Sequence, residues 1–146
     1  MPTLNIFADP PEMPAKALLA ECGLPVEDLS AGHFQHFFGC GAETHPAGIV
    51  GVEVHGTVGL LRSLAVAERA RGVGCGKRLV RQAENHARQL GIVELFLLTN
   101  TARTWFESLG YETIARDRAP LSIRTTAEFS SLCPSDASLM RKSLID

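Results

Sequence analysis

The sequence predicts a mixed α/β fold, in which helices pack against a sheet that combines parallel and antiparallel strands. The first observation is the alternation of elements in the middle of the chain, where apolar strand-like runs at 58–66 and 93–99 flank a helix-period segment at 77–90. The second is that strand-like runs outside this stretch follow one another through turns, which is typical of antiparallel hairpins. A chain of 146 residues is expected to form a single domain, 1–146.

Each element has its own local signal. Runs rich in apolar and β-branched residues predict strands at 3–8, 34–38, 49–55, 58–66, 93–99, 111–116 and 139–145. Helical spacing predicts helices at 15–22, 77–90, 101–109 and 125–132. The longest of these has an apolar face made of Leu79, Val80, Ala83, Ala87 and Leu90, and Gly91 ends it. Residues 39–46 are rich in turn formers and predict a link between strands, and 24–29 is compatible with either a helical turn or a loop.

Composition excludes several classes of partner. The formal net charge is −2, and no basic arm or aromatic–basic stripe is present, so we expect no nucleic-acid binding. No apolar segment is long enough to span a bilayer and no leader pattern opens the chain, so we expect a cytoplasmic protein without membrane contact. The four cysteines are far apart and form no C-x-x-C pair, which predicts free thiols.

The most informative motif is a glycine-rich stretch that follows the run at 58–66 and opens the helix at 77–90. Its residues are Arg71, Gly72, Val73, Gly74, Cys75, Gly76 and Lys77. Glycines let a ligand approach the backbone closely, and the free amides at a helix start favour an anion. Lys77 lies where the helix dipole disfavours a cation, which indicates that a polyanion binds there as well.

Two common phosphate-binding motifs do not fit this stretch. A P-loop requires four residues between its glycines, whereas only three separate Gly72 from Gly76, and Arg78 replaces the required Ser or Thr. The dinucleotide motif G-x-G-x-x-G fails because Leu79 stands where its third glycine belongs. The pattern Arg71-x-x-Gly74-x-Gly76 instead resembles the pyrophosphate loop of GNAT superfamily N-acetyltransferases.

This resemblance extends over a core of about 47–118. Residues 61–66, Leu-Arg-Ser-Leu-Ala-Val, resemble the strand that enters the loop, and residues 102–111 resemble the superfamily's A-x-x-F-Y-E-x-L-G-F helix. Within the superfamily the chain is most similar to the arsenic-resistance N-acetyltransferases, on the basis of segments 61–64, 97–99, 123–129 and 132–134.

The resemblance implies a specific fold and a cofactor. It implies a mixed sheet whose two central parallel strands splay apart, flanked by helices, with acetyl-CoA entering the gap. The glycine-rich stretch would hold the pyrophosphate. Backbone groups of Leu64, Ala65 and Val66 would hold the pantetheine arm, together with Asn100, for which a helix N-cap is an equal alternative. No metal is implied.

The chemistry departs from the superfamily at one position. The usual tyrosine, proposed there to protonate the leaving thiolate, is replaced by Phe106. For the general base, Glu53 is the first candidate and His55 the second, since both lie on one face of a strand. Residues beside the splay point or in the tail are candidates for binding the acceptor, namely Arg62, Ser63, Arg124 and Glu128. Arg124 and Glu128 also have the spacing of a local ion pair.

The resemblance therefore implies an acetyl-CoA-dependent N-acetyltransferase that acts on a small amine, with amino-acid-like or arsenical toxins among the candidates. Acyl transfer by direct attack is expected, because no nucleophilic Ser or Cys lies in an elbow or triad context. A catalytically silent acyl-CoA-binding module and a protein acetyltransferase are the alternatives. The sequence also leaves a homodimer open.

Overall fold

The computed structural model describes residues 5–132 and 137–145, and its centre is a seven-stranded sheet. The strands are β1 (Ile6–Ala8), β2 (Phe37–Ala42), β3 (His45–His55), β4 (Val58–Val66), β5 (Glu94–Thr99), β6 (Glu112–Ile114) and β7 (Ser138–Ser143). Their order in the sheet is β1-β2-β3-β4-β5-β7-β6. Only β4 and β5 are parallel, and every other neighbouring pair is antiparallel. The predicted mixed sheet with a central parallel pair is therefore confirmed.

Four α-helices accompany the sheet: α1 (Glu12–Glu21), α2 (Cys75–Gln89), α3 (Arg103–Glu107) and α4 (Leu121–Arg124). Short 3-10 turns occur at Ala31–His36, Glu68–Ala70 and Arg116–Arg118, and a π-helical segment at Glu128–Leu132. None of the helices within the described ranges has the length and apolar character that crossing a bilayer would require.

Helices α1 and α2 cover opposite faces of the sheet. Successive residues of a strand point to opposite faces, and Ile49 and Val50 of β3 illustrate this. Ile49 packs in a core cluster with α1, whereas Val50 packs in a second cluster with α2. A third cluster joins Leu60 of β4 to Ile123 of α4. The sheet is thus buried on both sides, as a parallel pair at its centre requires.

Helix α2 begins at the glycine-rich stretch for a local reason. Gly74 is its N-cap and has φ +83°, a conformation that glycine adopts without steric cost. Leu79, Val80 and Ala83 of the predicted apolar face are buried, as is Ala87. The helix ends at Gln89, one residue before the prediction, and Leu90 is 42% exposed, because Gly91 already turns the chain there with φ +84°.

The largest errors of the sequence-based prediction lie around β2. The strand predicted at 34–38 is a 3-10 turn up to His36, and the predicted link at 39–46 is mostly the strand pair β2–β3. The glycines that suggested turns instead provide space for close packing. A Cβ on Gly39 would collide with the ring of Phe7, and one on Gly41 would lie 3.3 Å from the Cβ of Ala47.

The helix predicted at 125–132 is also displaced. The chain there forms α4 at Leu121–Arg124 and then, after a turn, the π-helical segment Glu128–Leu132. Thr126 marks the break, because its hydroxyl donates to the Ile123 carbonyl at 2.7 Å and accepts the backbone N–H of Phe129 at 3.3 Å.

A disulfide joins Cys40 of β2 to Cys75, the first residue of α2. The prediction of free thiols is therefore wrong for these two cysteines, and Cys22 is the free cysteine of the described ranges. Gly48 of β3 brings the two together, since a Cβ there would lie 2.8 Å from the Cys75 sulfur and 3.1 Å from the Cys40 sulfur. The pairing could not be predicted from local sequence, because 35 positions separate the two cysteines. Cys133 lies outside the described residues.

We predict that this disulfide contributes to stability. Closing a loop of this size restricts the unfolded chain, and the expected contribution is about 3–4 kcal/mol. Urea unfolding with and without dithiothreitol should show the loss in the wild type. The variant Cys40→Ala should show no such difference, and Cys22→Ala should behave like the wild type. Identical unfolding midpoints in both conditions for the wild type would contradict the prediction.

Candidate active site

The site is built around a gap between β4 and β5. The two strands pair only at Val58–Glu94, Gly59–Leu95 and Leu60–Phe96. Beyond Leu60, β4 contains one more residue than β3 across the same interval, so the ladder shifts between Ile49 and Gly51. Ser63 in this bulge has φ +59°, which is uncommon for a residue other than glycine. The bulge turns β4 away from β5 and opens the sheet at its centre.

A first cavity of about 580 Å³ lies at the start of α2. Six of the seven residues of the predicted anion-binding stretch line it, together with side chains from β4 and α3, and its wall consists of Leu64, Val66, Ala70, Arg71, Gly72, Gly74, Cys75, Gly76, Lys77, Ala102 and Trp105. Val73 is not among them and is 40% exposed. Ala65 points the other way, into the core beside α1, so only its backbone faces the gap.

The chemistry of this cavity suits a polyanion. The first amides of α2 have no partner within the helix, and the helix dipole favours negative charge at this end. Gly72 and Gly74 both have positive φ, and a Cβ on either would meet open space, so the backbone is directly accessible. Arg71 donates from Nε to the Val66 carbonyl at 3.1 Å, which holds its guanidinium at the end of β4, and Lys77 adds a second cation.

A second cavity of about 570 Å³ lies in the gap itself. Its wall comes from both strands, from the chain after α1 and from the tail, and consists of Cys22, Gly23, Leu24, Pro25, Leu61, Arg62, Ser63, Leu64, Leu97, Leu98, Thr99, Asn100, Thr101, Ala102, Phe106, Glu128 and Ala137. Leu64 and Ala102 line both cavities, so the two adjoin each other at these residues.

Two aromatic residues of α3 are divided between the cavities. Trp105 lines the first and Phe106 the second, and their rings meet edge to face with centroids 4.9 Å apart. Phe106 offers no proton. The hydroxyl of the nearby Tyr111 donates to Glu84 at 2.9 Å, and burial, followed by the charge of Glu84, raises the pKa of Tyr111 well above its ordinary value. The Tyr111 hydroxyl is therefore already hydrogen-bonded within the core cluster that α2 covers.

Asn100 lines the second cavity and is exposed at its mouth. Asn100 does not take the alternative role of helix N-cap: the Thr99 hydroxyl accepts the backbone N–H of Ala102 at 3.0 Å, and no side chain caps the first amides of α3. Ala102 is the N-cap residue of α3. The Asn100 side chain is therefore not needed to start the helix.

The centre of the second cavity's polar wall is the guanidinium of Arg62, whose side chain has no exposed surface. Its Nη1 and Nη2 donate to the two oxygens of Asp28, with Nη2–Oδ1 at 2.9 Å, and Nη1 also donates to Glu53. Its Nε donates to the Ser63 hydroxyl at 3.0 Å. Burial opposes the charge on Arg62, but Asp28, Glu128 and Glu53 outweigh it and raise the pKa of the guanidinium. Arg62 is thus a permanent cation inside the sheet.

The same contacts act on the acids. Burial raises the pKa of Asp28, but the hydrogen bond and charge of Arg62 exceed that effect and leave it below its ordinary value. Glu128 differs, because its Oε1 lies 3.8 Å from Arg62 Nη2, beyond hydrogen-bond distance. Burial raises the pKa of Glu128 to about 7, with Arg62 opposing the rise and Glu53 and Asp28 adding to it.

Asp28, His33 and Glu53 place one possible ligand atom each within 4.8 Å of the others. This arrangement does not suit a metal ion, because Arg62 already donates to both carboxylates and its positive charge would repel a second cation. Asp28 and Glu53 are better described as the counter-charges of Arg62, and His33 lies beside these two carboxylates.

Besides Val73 and Ala65, three more of the predicted site residues line neither cavity. Glu53 accepts from Arg62 and lies 3.2 Å from His55 Nε2, and neither Glu53 nor His55 lines either cavity. Arg124 is exposed on α4, and in the described part of the chain Glu128 is paired with Arg62 rather than with Arg124. Sequence reasoning missed Asp28, because a lone acid in a loop carries no local signal of a buried partner 34 residues away.

Comparison with known proteins identifies the family. The model of the acetyltransferase (GNAT) domain matches residues 33–113, more than half of the chain. The "amino-acid acetyltransferase" of Pseudomonas syringae pv. syringae is 44% identical over 62 residues, which are 42% of this chain and 14% of that protein. That of Neisseria meningitidis is 36% identical over the same length. The chain thus matches only about a seventh of the length of these curated relatives.

Solved structures show the same fold. N-acetylglutamate synthase from Neisseria gonorrhoeae, complexed with coenzyme A and N-acetyl-glutamate, superposes with a TM-score of 0.83 at 21% identity, over 100% of this chain and 36% of that one. Rv2747 from Mycobacterium tuberculosis, in complex with CoA and NLQ, superposes with a TM-score of 0.76 at 18% identity, over 99% and 100% of the two chains. With its glycine loop, its splayed strands and the matched domain model, the chain belongs to the GNAT acetyltransferase family.

Proposed function

We propose that this chain is an acetyl-CoA-dependent N-acetyltransferase that acetylates the amine of a small, amino-acid-like acceptor. The observation that carries the proposal is the pair of adjoining cavities that share Leu64 and Ala102. One cavity lies at an anion-binding helix start, and the other lies in a gap whose wall contains a buried acid. Transfer between two substrates requires two sites whose reacting ends meet, and these cavities provide them.

The first cavity fits the CoA end. The amides at Gly74 to Gly76 would hold the pyrophosphate, with Arg71 and Lys77 supplying charge-assisted bonds. Residues 64–66 of β4 have lost β5 as a partner, so backbone groups on this edge, other than the Val66 carbonyl that accepts from Arg71, would hold the pantetheine amides. Bound there, acetyl-CoA supplies an activated acyl thioester. The acetyl-CoA-binding core in this proposal is the region at about 47–118.

The second cavity fits an acceptor that carries an ammonium group. Its wall combines the hydroxyls of Ser63 and Thr99 and the amide of Asn100 with the carboxyl of Glu128, which offers an acidic partner for a cation. The names of the amino-acid acetyltransferases and of N-acetylglutamate synthase support an amino-acid-like acceptor. The resemblance of residues 123–129 to the arsenic-resistance enzymes places amino-acid-like arsenical toxins within the same class.

The residues present favour direct attack of the amine on the thioester. Phe106 has no proton for the leaving group, so the thiolate departs unprotonated, which its moderate basicity permits. Because Phe106 cannot supply this proton, an acyl-CoA-binding module without catalysis is a second candidate function.

One assay tests the proposed function and its alternatives. Purified protein is mixed with acetyl-CoA and a panel of the common L-amino acids, an amino-acid-like organoarsenical and a lysine-containing peptide, and CoA thiol release is followed. Release with an amino-acid amine supports the proposal. Release with the peptide alone indicates a protein acetyltransferase. Calorimetric binding of acetyl-CoA without any release indicates the silent module.

A test of the proposed CoA site uses two matched glycines. Gly74 and Gly91 have nearly the same φ, +83° and +84°, and a Cβ on either meets open space. Alanine at either position should therefore lower the free energy of unfolding by a similar amount, about 1–2 kcal/mol. Only Gly74→Ala should weaken acetyl-CoA binding, by about tenfold or more, because only Gly74 lines the cavity. Calorimetry on both variants checks this, and equal affinities in the two would remove the loop from the binding site.

The second prediction concerns the missing proton donor. Phe106→Tyr should leave the turnover number unchanged or raise it, because the new hydroxyl would face the cavity that Phe106 lines. Phe106→Leu, which keeps an apolar side chain without restoring a donor, serves as the control. Steady-state kinetics across pH distinguish the two. A large loss in Phe106→Tyr with normal acetyl-CoA affinity would mean that the ring's apolar contact, rather than a missing acid, decides the rate.

A further inference from the structure

We infer that Glu128 is the proton acceptor of the acceptor amine, and that Asp28 and Glu53 act on it indirectly by occupying Arg62. This inference rests on the proposed function and assigns a role within the same site. It differs from the assignment that the sequence favours, in which Glu53 or His55 removes the proton.

Access to the cavity is the first argument. A proton acceptor must reach the attacking nitrogen directly or through one water. Glu128 lines the cavity in the gap between β4 and β5, in the same wall as Asn100 and Phe106. Glu53 and His55 line neither cavity, and Glu53 is already bonded to Arg62. Glu128 is thus the acid that a bound amine would meet.

The distribution of hydrogen bonds is the second argument. Arg62 directs its donors to both oxygens of Asp28, to Glu53 and to Ser63. Glu128 is left 3.8 Å from the guanidinium, close enough for attraction but without a hydrogen bond. Negative charges in this cluster outnumber its single guanidinium. The cluster therefore favours one further cation beside Glu128, which the substrate's ammonium supplies.

The protonation behaviour of Glu128 agrees with this role. Burial raises its pKa to about 7, and the charged groups that face it are Arg62, which lowers the pKa, and Glu53 and Asp28, which raise it. A carboxyl with a pKa near neutrality is basic enough to accept a proton and still ionised in part at neutral pH. Asp28, whose pKa is held low by Arg62, would be a poor acceptor.

The proposed transfer conserves protons and electron pairs at every step. The acceptor's ammonium passes one proton to the Glu128 carboxylate, which leaves a neutral amine and a neutral carboxylic acid. The nitrogen lone pair forms the C–N bond at the thioester carbonyl carbon, and the C–S bond breaks with its electron pair on sulfur. The nitrogen's second proton passes to the thiolate directly or through water. The products are the amide and CoA thiol, and Glu128 releases its proton to solvent.

The test separates proton removal from binding by using two nucleophiles. The ammonium acceptor is L-glutamate, or whichever panel amino acid releases most thiol with the wild type. The second nucleophile is hydroxylamine, which is largely uncharged at pH 7.5 and needs no base. Glu128→Gln should lower the turnover number at least about 100-fold with the amino acid. It should lower turnover less than tenfold with hydroxylamine and leave acetyl-CoA affinity within twofold.

The pH profile of kcat/KM gives a second readout. The wild-type profile should rise through an apparent pKa near 7 with the amino acid, since Glu128 must be ionised. Glu53→Gln removes a negative neighbour of Glu128 and should shift this limb to lower pH while turnover persists. Glu128→Asp keeps the carboxyl and should retain the limb at reduced rate, which covers the case in which Glu128→Gln does not fold. Glu112→Gln removes an exposed acid of β6 and should match the wild type.

Each result supports or overturns the inference. Full loss in Glu53→Gln with activity retained in Glu128→Gln would assign the base to Glu53. Equal losses of Glu128→Gln with the amino acid and with hydroxylamine would reduce Glu128 to a structural residue. Absence of thiol release from the wild type with every acceptor would overturn the proposed function itself, whereas normal wild-type turnover with an unaffected Glu128→Gln would overturn only this inference.

Discussion

The end of parallel pairing between β4 and β5 after Leu60 and Phe96 is the constraint on which the rest of the site depends. A parallel pair at the centre of a sheet normally continues, because unpaired backbone groups are costly in the interior. Here the bulge at Ser63 redirects β4, and β7 takes over the other edge of β5. The resulting gap is wide enough for a cavity whose walls are two strands, and both the free backbone edge of β4 and the burial of Glu128 follow from it.

The same bulge explains why a guanidinium is tolerated inside the sheet. Ser63 supplies a hydroxyl to Arg62 Nε, and Asp28, Glu53 and Glu128 approach from three separate elements. A buried pair of opposite charges contributes little net stability by itself, because desolvation offsets the attraction. The arrangement of Arg62 and its acidic partners instead fixes charge in the cavity wall. Arg62 holds the pKa of Asp28 low and donates a hydrogen bond to Glu53, whereas Glu128 is left with an intermediate proton affinity.

Much of the fold could be predicted, and the successes and errors have physical causes. The strand at 58–66, the helix at 77–90 and the strand at 93–99 are confirmed within two residues, because periodic burial determines them locally. The glycine-rich stretch could be identified as a candidate anion site, because its glycines and cations lie together in the chain. Most of β2 and the first residues of β3 were missed, because Gly39 and Gly41 allow close packing inside a strand rather than forming turns. The disulfide and the Arg62–Asp28 pair were missed because 35 and 34 positions of sequence separate their members.

The short parallel pairing also has a mechanical consequence. The strands β1 to β4 form one subsheet and β5, β7 and β6 another. In the described residues the parallel pairing joins the two only at Val58 to Leu60, and a backbone bond from Val93 to the Thr57 carbonyl adds to it at the same end. The boundary between β4 and β5 is therefore a seam in a sheet that is continuous elsewhere. The two strands are hydrogen-bonded at its closed end and separated at its open end. Rotation of the two halves about the closed end is the motion that breaks the fewest hydrogen bonds, and it changes the width of the open end. Any extended molecule bonded to both edges of the seam would complete the sheet and stiffen this hinge.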